Sequence, residues 1–140
     1  MKLLQKIIIV IVCLLLSGCG ASKKINNKAE ELSNIETSFF IDISPSEAKE
    51  IINYNDNMVI IDISENYNKR HLPGAINIPF PNFEKEILKL DKSKTYLIYG
   101  DIESYSQAIA SRLAENNFSD VYRLEGGIDS WAQAGYEIKD

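Results

Sequence analysis

The residues best placed for chemistry follow a short apolar run that ends at Tyr99 and precede an amphipathic pattern containing Ile109 and Leu113. A loop between the carboxyl end of a strand and the start of a helix is the usual ligand site of an open α/β sheet. Free N–H groups at such a helix start attract anions and stabilise a thiolate. The position therefore predicts a nucleophile, yet none of its seven residues is an evident one. This central segment comprises Gly100, Asp101, Ile102, Glu103, Ser104, Tyr105 and Ser106.

Other reactive side chains are few. Cys13 and Cys19 are the only cysteines, which excludes a disulfide framework or thiolate metal site in the rest of the chain. A single histidine, His71, argues against a zinc or haem site built on histidines. We therefore predict neither a metal site nor a cofactor. Asp62 ends an apolar run, and we expect its carboxylate to accept hydrogen bonds from loop N–H groups rather than to catalyse.

The elements that must position the central segment alternate regularly between strands and helices. Ser44, Pro45 and Glu47 form a typical helix start, with an N-cap, a proline at the first helical position and a capping box. Gly126 and Gly127 mark a turn before a short final helix. The pattern predicts a three-layer α/β domain with a central parallel sheet and helices on both faces. Five strands are expected at 39–43, 58–63, 75–78, 96–99 and 121–124.

Length and charge restrict the possible functions. The chain of 140 residues has room for one folded domain, and its formal net charge is −5. An acidic chain without a basic stripe is not typical of nucleic-acid binding. It also lacks the charge needed for docking on anionic lipid. We therefore expect no nucleic-acid partner.

The N-terminus is typical of a secreted protein. Lys2 and Lys6 precede an apolar run at 7–16, which is too short for a bilayer core of about 30 Å. The following Leu-Ser-Gly-Cys resembles the lipobox of bacterial lipoproteins, which implies cleavage before Cys19 and attachment of a diacylglycerol to it. The alternative is an ordinary signal peptide with an incidental cysteine. We expect a signal peptide at 1–18, a lipidated tether at 19–38 and a folded domain at 39–140, anchored on the extracytoplasmic side of the cell membrane.

Three segments of the folded part resemble the rhodanese-homology family. They are VIIDIS followed by KRHLPGAINIP, then TYLIYG followed by SYSQAIASRLAENNF, and finally DVYRLEGGIDSWAQAGY. The order of these segments is that of the family, and together they cover about residues 39–139. The resemblance implies the rhodanese-like fold.

The resemblance also implies sulfur transfer through a cysteine persulfide, but the matching positions differ. Gly100 takes the place of the cysteine, Glu103 that of a loop glycine and Tyr105 that of a loop arginine, whereas Ser106 keeps the family's residue type. Two neighbouring positions differ as well, since Ser64 replaces a frequent arginine and Arg70 replaces the glycine before the histidine. Carboxylates at Asp101 and Glu103 would disfavour anions at the helix start.

These differences favour a domain that is not an enzyme but a binding or scaffolding module, with an unknown protein partner in the cell envelope and the central segment as its recognition surface. Two alternatives remain open. One is an enzyme that uses Asp101, Glu103 or Ser104. The other is a sulfur relay that depends on a partner's cysteine. His71 and Asp62 are interpreted as support for the loop. Tyr99, Tyr105 and Trp131 are interpreted as packing residues.

Overall fold

A five-stranded sheet forms the centre of the computed structural model, which describes residues 39–140. In this described part of the chain, four helices and two short 3-10 turns, Phe80–Asn82 and Ile87–Lys89, accompany the strands. The strands are β1 (Ile41–Ile43), β2 (Met58–Asp62), β3 (Ile76–Asn77), β4 (Thr95–Tyr99) and β5 (Asp120–Leu124). The helices are α1 (Pro45–Tyr54), α2 (Phe83–Glu86), α3 (Glu103–Glu115) and α4 (Gly127–Gln133).

The sheet is parallel throughout, with the strand order β1-β5-β4-β2-β3. Strand β4 lies in the middle, and all five of its residues are buried. Parallel strands covered on both faces have nearly continuous apolar sequences, as β2 and β4 do. The predicted fold class is confirmed.

Alternate residues of β4 contribute to two separate apolar cores. Tyr96 and Ile98 pack on one face of the sheet, with Leu113 of α3. Leu97 and Tyr99 pack on the other face. Side chains of a strand point alternately to opposite faces, so each face of β4 is buried by its own layer. Both clusters consist of residues within 39–140.

Helix α1 begins as its sequence indicates. The Ser44 side chain accepts a hydrogen bond from the Glu47 N–H at 3.3 Å, and the Ser44 N–H donates to the Glu47 carboxylate at 2.8 Å. This reciprocal pair is the predicted capping box. The side-chain and backbone hydrogen bonds from Ser44 lower the pKa of Glu47.

Four elements are shorter than the sequence pattern indicates. Strand β2 ends at Asp62 rather than at residue 63, and strand β3 spans Ile76–Asn77 rather than 75–78. Strand β1 starts at Ile41 rather than residue 39, because its pairing with β5 extends only over Ile41–Ile43. The apolar positions Phe83, Ile87 and Leu90 do not share one long helix, since α2 ends at Glu86. Leu90 is extended, and the Asp91 carboxylate then accepts the Ser93 N–H at 2.9 Å, which turns the chain away from a helical path.

Within 39–140, no helix is both long enough and apolar enough to cross a membrane. The expected signal peptide, lipidation cysteine and tether lie outside the described residues.

Candidate functional site

The central segment lies at the carboxyl end of β4, where a parallel sheet presents its loops. Only Gly100, Asp101 and Ile102 form a loop, because α3 begins at Glu103. The Ile102 carbonyl oxygen accepts hydrogen bonds from the N–H groups of Tyr105 (3.1 Å) and Ser106 (3.2 Å). The last four residues of the expected recognition loop are therefore the first turn of a helix. Glu103 needs no positive φ in this arrangement, and α3 starts there directly.

Gly100 lies between the side chain of Ile63 and the backbone of Gly127. An ideal Cβ at this residue would lie 2.7 Å from Cγ1 of Ile63 and 3.8 Å from the Ser64 nitrogen. The space beside Gly100 is thus filled by Ile63 rather than left open. On its other side, the Gly100 carbonyl oxygen packs against Gly127, which has a φ of +55° and no room for a side chain.

A groove with a volume of about 570 Å³ opens beside this loop. Its apolar walls are Ile63, Phe80, Pro81, Ile102 and Tyr105. Its polar residues are Ser64, Glu65, Asn66 and Asp101. The rings of Phe80 and Tyr105 are stacked, with centroids 4.1 Å apart, and give the groove a flat aromatic wall. The groove is thus largely apolar, and its two charged residues are both acidic.

A second depression of about 340 Å³ adjoins the groove through Asn66 and Asp101. The Asn66 amide donates to the Asp101 carboxylate at 3.2 Å, so this pair separates the two spaces. In the second depression Arg70 is paired with Asp129 at 2.6 Å. The guanidinium of Arg70 is therefore already paired with a carboxylate.

An ion-pair cluster connects the start of α3 to the sheet. The Arg123 guanidinium donates to both oxygens of Asp42 at 2.7 Å and also donates to Glu103. The other Glu103 oxygen accepts the Gly126 N–H at 2.6 Å. Hydrogen bonds with Asp42, and then with Glu103, raise the pKa of Arg123, which stays charged although its side chain is 9% exposed.

Sequence reasoning did not identify Arg123 or Asp42 as site residues. The signal was an arginine within the apolar run VYRL, because a charged residue in a buried strand requires a partner. The parallel register places Asp42 directly opposite Arg123.

Asp62 lies below the groove and is fully buried. One of its carboxylate oxygens accepts the Ser64 N–H at 2.8 Å and also the Ser64 hydroxyl, as expected for a residue that caps loop N–H groups. Its other oxygen, Oδ2, has no hydrogen-bond partner within 39–140. Burial raises the pKa of the neighbouring Tyr99 phenol, with a smaller contribution from the charge of Asp62. Tyr99 is therefore neutral and accepts the Leu72 N–H at 3.0 Å.

His71 is held away from the central segment by its own loop. Its ring stacks on Tyr67 with centroids 4.1 Å apart, and Nδ1 lies 3.1 Å from the Tyr67 carbonyl oxygen. Its backbone bonds to Lys139 in a short antiparallel bridge. The contacts of His71 are those of a packing and positioning residue.

The remaining candidates are divided between structural and exposed positions. Ser106 is buried, and its hydroxyl donates to the Glu103 carbonyl at 2.9 Å. Ser104 is exposed. Arg112 is paired with Glu84 at 3.0 Å and supplies no charge to the loop. Tyr99 and Trp131 are buried, whereas Tyr105 lines the groove. Residues 39–140 contain no group of three or more potential metal ligands.

The family model described as "Rhodanese-like domain" matches residues 44–134, which include the central segment and the groove but not Asp42. The chain belongs to the rhodanese-like family. Among solved structures, a rhodanese-related protein from Thermoplasma volcanium superimposes with a TM-score of 0.63 at 24% identity, covering 71% of this chain and 98% of that one. This similarity supports the rhodanese-like fold.

Curated relatives correct the expectation that the domain is not an enzyme. "Thiosulfate sulfurtransferase GlpE" of Coxiella burnetii is 33% identical over 91 residues, which are 64% of this chain and 84% of the relative. Relatives of that name match at 25–33% identity. The "Putative sulfur carrier protein YrkF" of Bacillus subtilis is 26% identical, over 74% of this chain and 57% of that protein.

Proposed function

We propose that this rhodanese-like domain promotes the transfer of sulfane sulfur that a partner protein carries on its own cysteine. One observation carries the proposal: residues 20–140 contain no cysteine, although the relatives are named thiosulfate sulfurtransferases. In this proposal Gly100 stands where the family has its cysteine, and the persulfide enters the site on the carrier.

The proposed step is an exchange between two thiols. An acceptor thiolate attacks the outer sulfur of the carrier persulfide and forms a new S–S bond. The old S–S bond breaks, and its electron pair leaves on the inner sulfur as the carrier thiolate. The proton on the outer sulfur moves with that sulfur to the acceptor, so no oxidant or reductant is required. In this proposal the N–H groups of Glu103 and Ser104 at the start of α3 stabilise the thiolate that leaves, since those of Tyr105 and Ser106 donate to the Ile102 carbonyl.

The groove provides the contacts for the carrier. Its apolar walls exclude water from the reacting sulfur, and the aromatic wall of Phe80 and Tyr105 supports an extended segment. Glu65 and Asp101 are its charged residues. A carrier segment with lysine or arginine beside its cysteine would offset these carboxylates, which otherwise oppose a thiolate. The proposed carrier is therefore a protein with a basic segment around its cysteine.

The first prediction concerns sulfur transfer from such a carrier. A synthetic peptide with one cysteine persulfide between lysines serves as donor and cyanide as acceptor, with thiocyanate measured as product. The full chain should accelerate the reaction and saturate with peptide. Tyr105→Ala should lower the rate at subsaturating peptide about fivefold, since it removes a stacked aromatic wall worth about 1 kcal/mol.

Tyr54→Ala is the matched control, because Tyr54 is 89% exposed on α1 and lies outside the groove lining. A reaction that proceeds equally fast without the protein would contradict the proposal. So would an equal loss of rate in the two tyrosine variants. Turnover of thiosulfate and cyanide in the absence of any carrier would contradict the carrier's role.

We further propose that Cys19 carries a diacylglycerol and anchors the domain to the extracytoplasmic face of the cell membrane. In this proposal residues 1–18 are the signal peptide, residues 19–38 the lipidated tether and residues 39–140 the folded domain. The support is the lipobox-like Leu-Ser-Gly-Cys after an apolar run flanked by lysines. Two acyl chains contribute about 0.8 kcal/mol per buried CH₂, which makes such an anchor stable.

The second prediction tests this anchor by detergent phase partitioning of the protein expressed in a bacterial host. The native protein should enter the detergent phase, whereas Cys19→Ser should remain in the aqueous phase because it lacks the acylated sulfur. Cys13→Ser is the matched control and should behave like the native protein. Equal partitioning of the Cys19→Ser variant and the native protein would exclude a lipid on Cys19.

A further inference from the structure

Glu103 lies in the first turn of α3, and contacts with other parts of the chain hold its carboxylate in place. Its side chain is 53% exposed, yet both carboxylate oxygens are engaged by fixed donors. One accepts the Gly126 N–H at 2.6 Å, and the other accepts from Nη1 of Arg123. A guanidinium N–H and a backbone N–H that converge on one point form an anion-binding arrangement. In this chain the anion is a side chain of the protein itself.

Arg123 is fixed by the opposite side of the cluster. Asp42 accepts from both Nε and Nη2 at 2.7 Å, which orients the guanidinium plane and leaves Nη1 to Glu103. The guanidinium is thus held by the sheet whether or not Glu103 is present. Removal of the Glu103 side chain would free Nη1 and the Gly126 N–H without releasing Arg123.

The charge of the cluster opposes a second anion. Arg123 contributes one positive charge, and Asp42 and Glu103 contribute two negative charges, so the three side chains sum to −1. Asp101 adds a further carboxylate two residues before Glu103. A dianion that approached the start of α3 would meet occupied donors and a net negative charge.

We infer that the Glu103 carboxylate is a built-in anion that closes this site to free dianions such as thiosulfate and sulfate, and thereby selects sulfur carried on a protein. The second half of this inference rests on the proposed function. Glu103 is a specificity-determining residue in this view. It acts by occupying the donors that a small anionic sulfur donor would need, while the groove beside Ile102 remains accessible to a carrier segment.

The experiment measures thiosulfate binding by titration calorimetry at constant ionic strength, without any carrier. The full-length native protein should show no saturable binding. Glu103→Ala should bind thiosulfate saturably, at least about tenfold more tightly than the upper limit that the titration sets for the native protein, because a charged and a neutral hydrogen-bond donor become available. Glu103→Gln should gain less, because its amide still fills the site. Arg123→Lys in the Glu103→Ala background should remove the gain.

Glu115→Ala is the matched control, since it removes the same charge from the exposed end of the same helix. Equal binding by Glu103→Ala and the native protein would overturn the inference, as would an equal gain in Glu115→Ala. If Glu103→Ala does not fold, Glu103→Ser opens the same site and is judged by the same outcomes. If Glu103→Ala binds thiosulfate but the native protein shows no carrier-dependent transfer, the proposed carrier is refuted. The inference that Glu103 closes the anion site is then retained.

Discussion

Replacement of Gly127 by alanine is expected to lower the free energy of unfolding by about 3 kcal/mol or more. Two costs combine in this variant. A left-handed backbone costs a residue with a Cβ about 1–2 kcal/mol, and Gly127 has a φ of +55°. The new Cβ would also overlap the Gly100 carbonyl oxygen. Overpacking of this kind costs about 1–3 kcal/mol, and more where the opposing atom belongs to backbone that cannot turn aside.

Gly74→Ala separates these two costs. Gly74 has a φ of +79°, and an added Cβ would meet no atom within 4 Å, so this variant should lose only about 1–2 kcal/mol. Urea unfolding can be followed by the fluorescence of Trp131, the only tryptophan, which is 2% exposed. Equal losses in the two variants would mean that the contact between Gly127 and Gly100 contributes nothing beyond backbone strain.

This contact shows how the site depends on a distant turn. Gly100 directly follows the central strand, and Gly127 begins α4 after the last strand. The second glycine of the turn lets the chain pass close enough to support the Gly100 carbonyl. A side chain at residue 127 would displace that carbonyl, because its Cβ would overlap the oxygen. The glycine pair therefore determines the position of the central segment as well as the turn itself.

The sequence predicted those features that depend on neighbouring residues. The capping box at Ser44 needs only residues three positions apart, and the helix face of Ile109 and Leu113 follows from helical spacing. The central position of β4 is consistent with its unbroken apolar run. Such local rules were sufficient for the order of elements and for the class of fold.

Features that depend on strand register were not predicted. Asp42 and Arg123 are far apart in the sequence and meet only because β1, the edge strand of the sheet, pairs with β5. Without that pairing, Glu103 was interpreted as a carboxylate that repels anions from the helix start. The structure shows it already bound by Arg123 and Gly126. The sign of its charge was thus clear from the sequence, but its partners were not.

The filling of the space beside Gly100 was also not visible from the sequence. A glycine in place of a larger residue suggests a vacancy, whereas Ile63 occupies that space. Ile63 follows β2 and is buried. The long side chain of Ile63 fills the space that a side chain at residue 100 would need, and the two residues must therefore be considered together in any attempt to introduce a thiol.

The variant Gly100→Cys/Ile63→Ala is expected to acquire a persulfide of its own. The Ile63→Ala change removes the atom that lies 2.7 Å from the new Cβ, whereas Gly100→Cys alone keeps this overlap and should lose about 1–3 kcal/mol of stability. After incubation with the lysine-flanked persulfide peptide, intact mass should increase by one sulfur atom that a reductant removes. Both proteins carry Cys13→Ser and Cys19→Ser so that residue 100 provides the single thiol; Ile63→Ala in that background is the control and should not gain this mass.

The choice of sulfur donor links this variant to Glu103. With Glu103 in place, the new thiol should accept sulfur from the basic carrier peptide but poorly from thiosulfate, since the donors at Arg123 and Gly126 are occupied. The additional change Glu103→Ala should make thiosulfate an effective donor: the thiolate of residue 100 attacks its outer sulfur, and sulfite leaves with the electron pair of the broken S–S bond. If thiosulfate were already effective with Glu103 present, the missing thiol alone would account for the difference from other members of the family. If it became effective only after Glu103 is removed, two separate features of the loop would direct this domain toward sulfur that arrives on a protein.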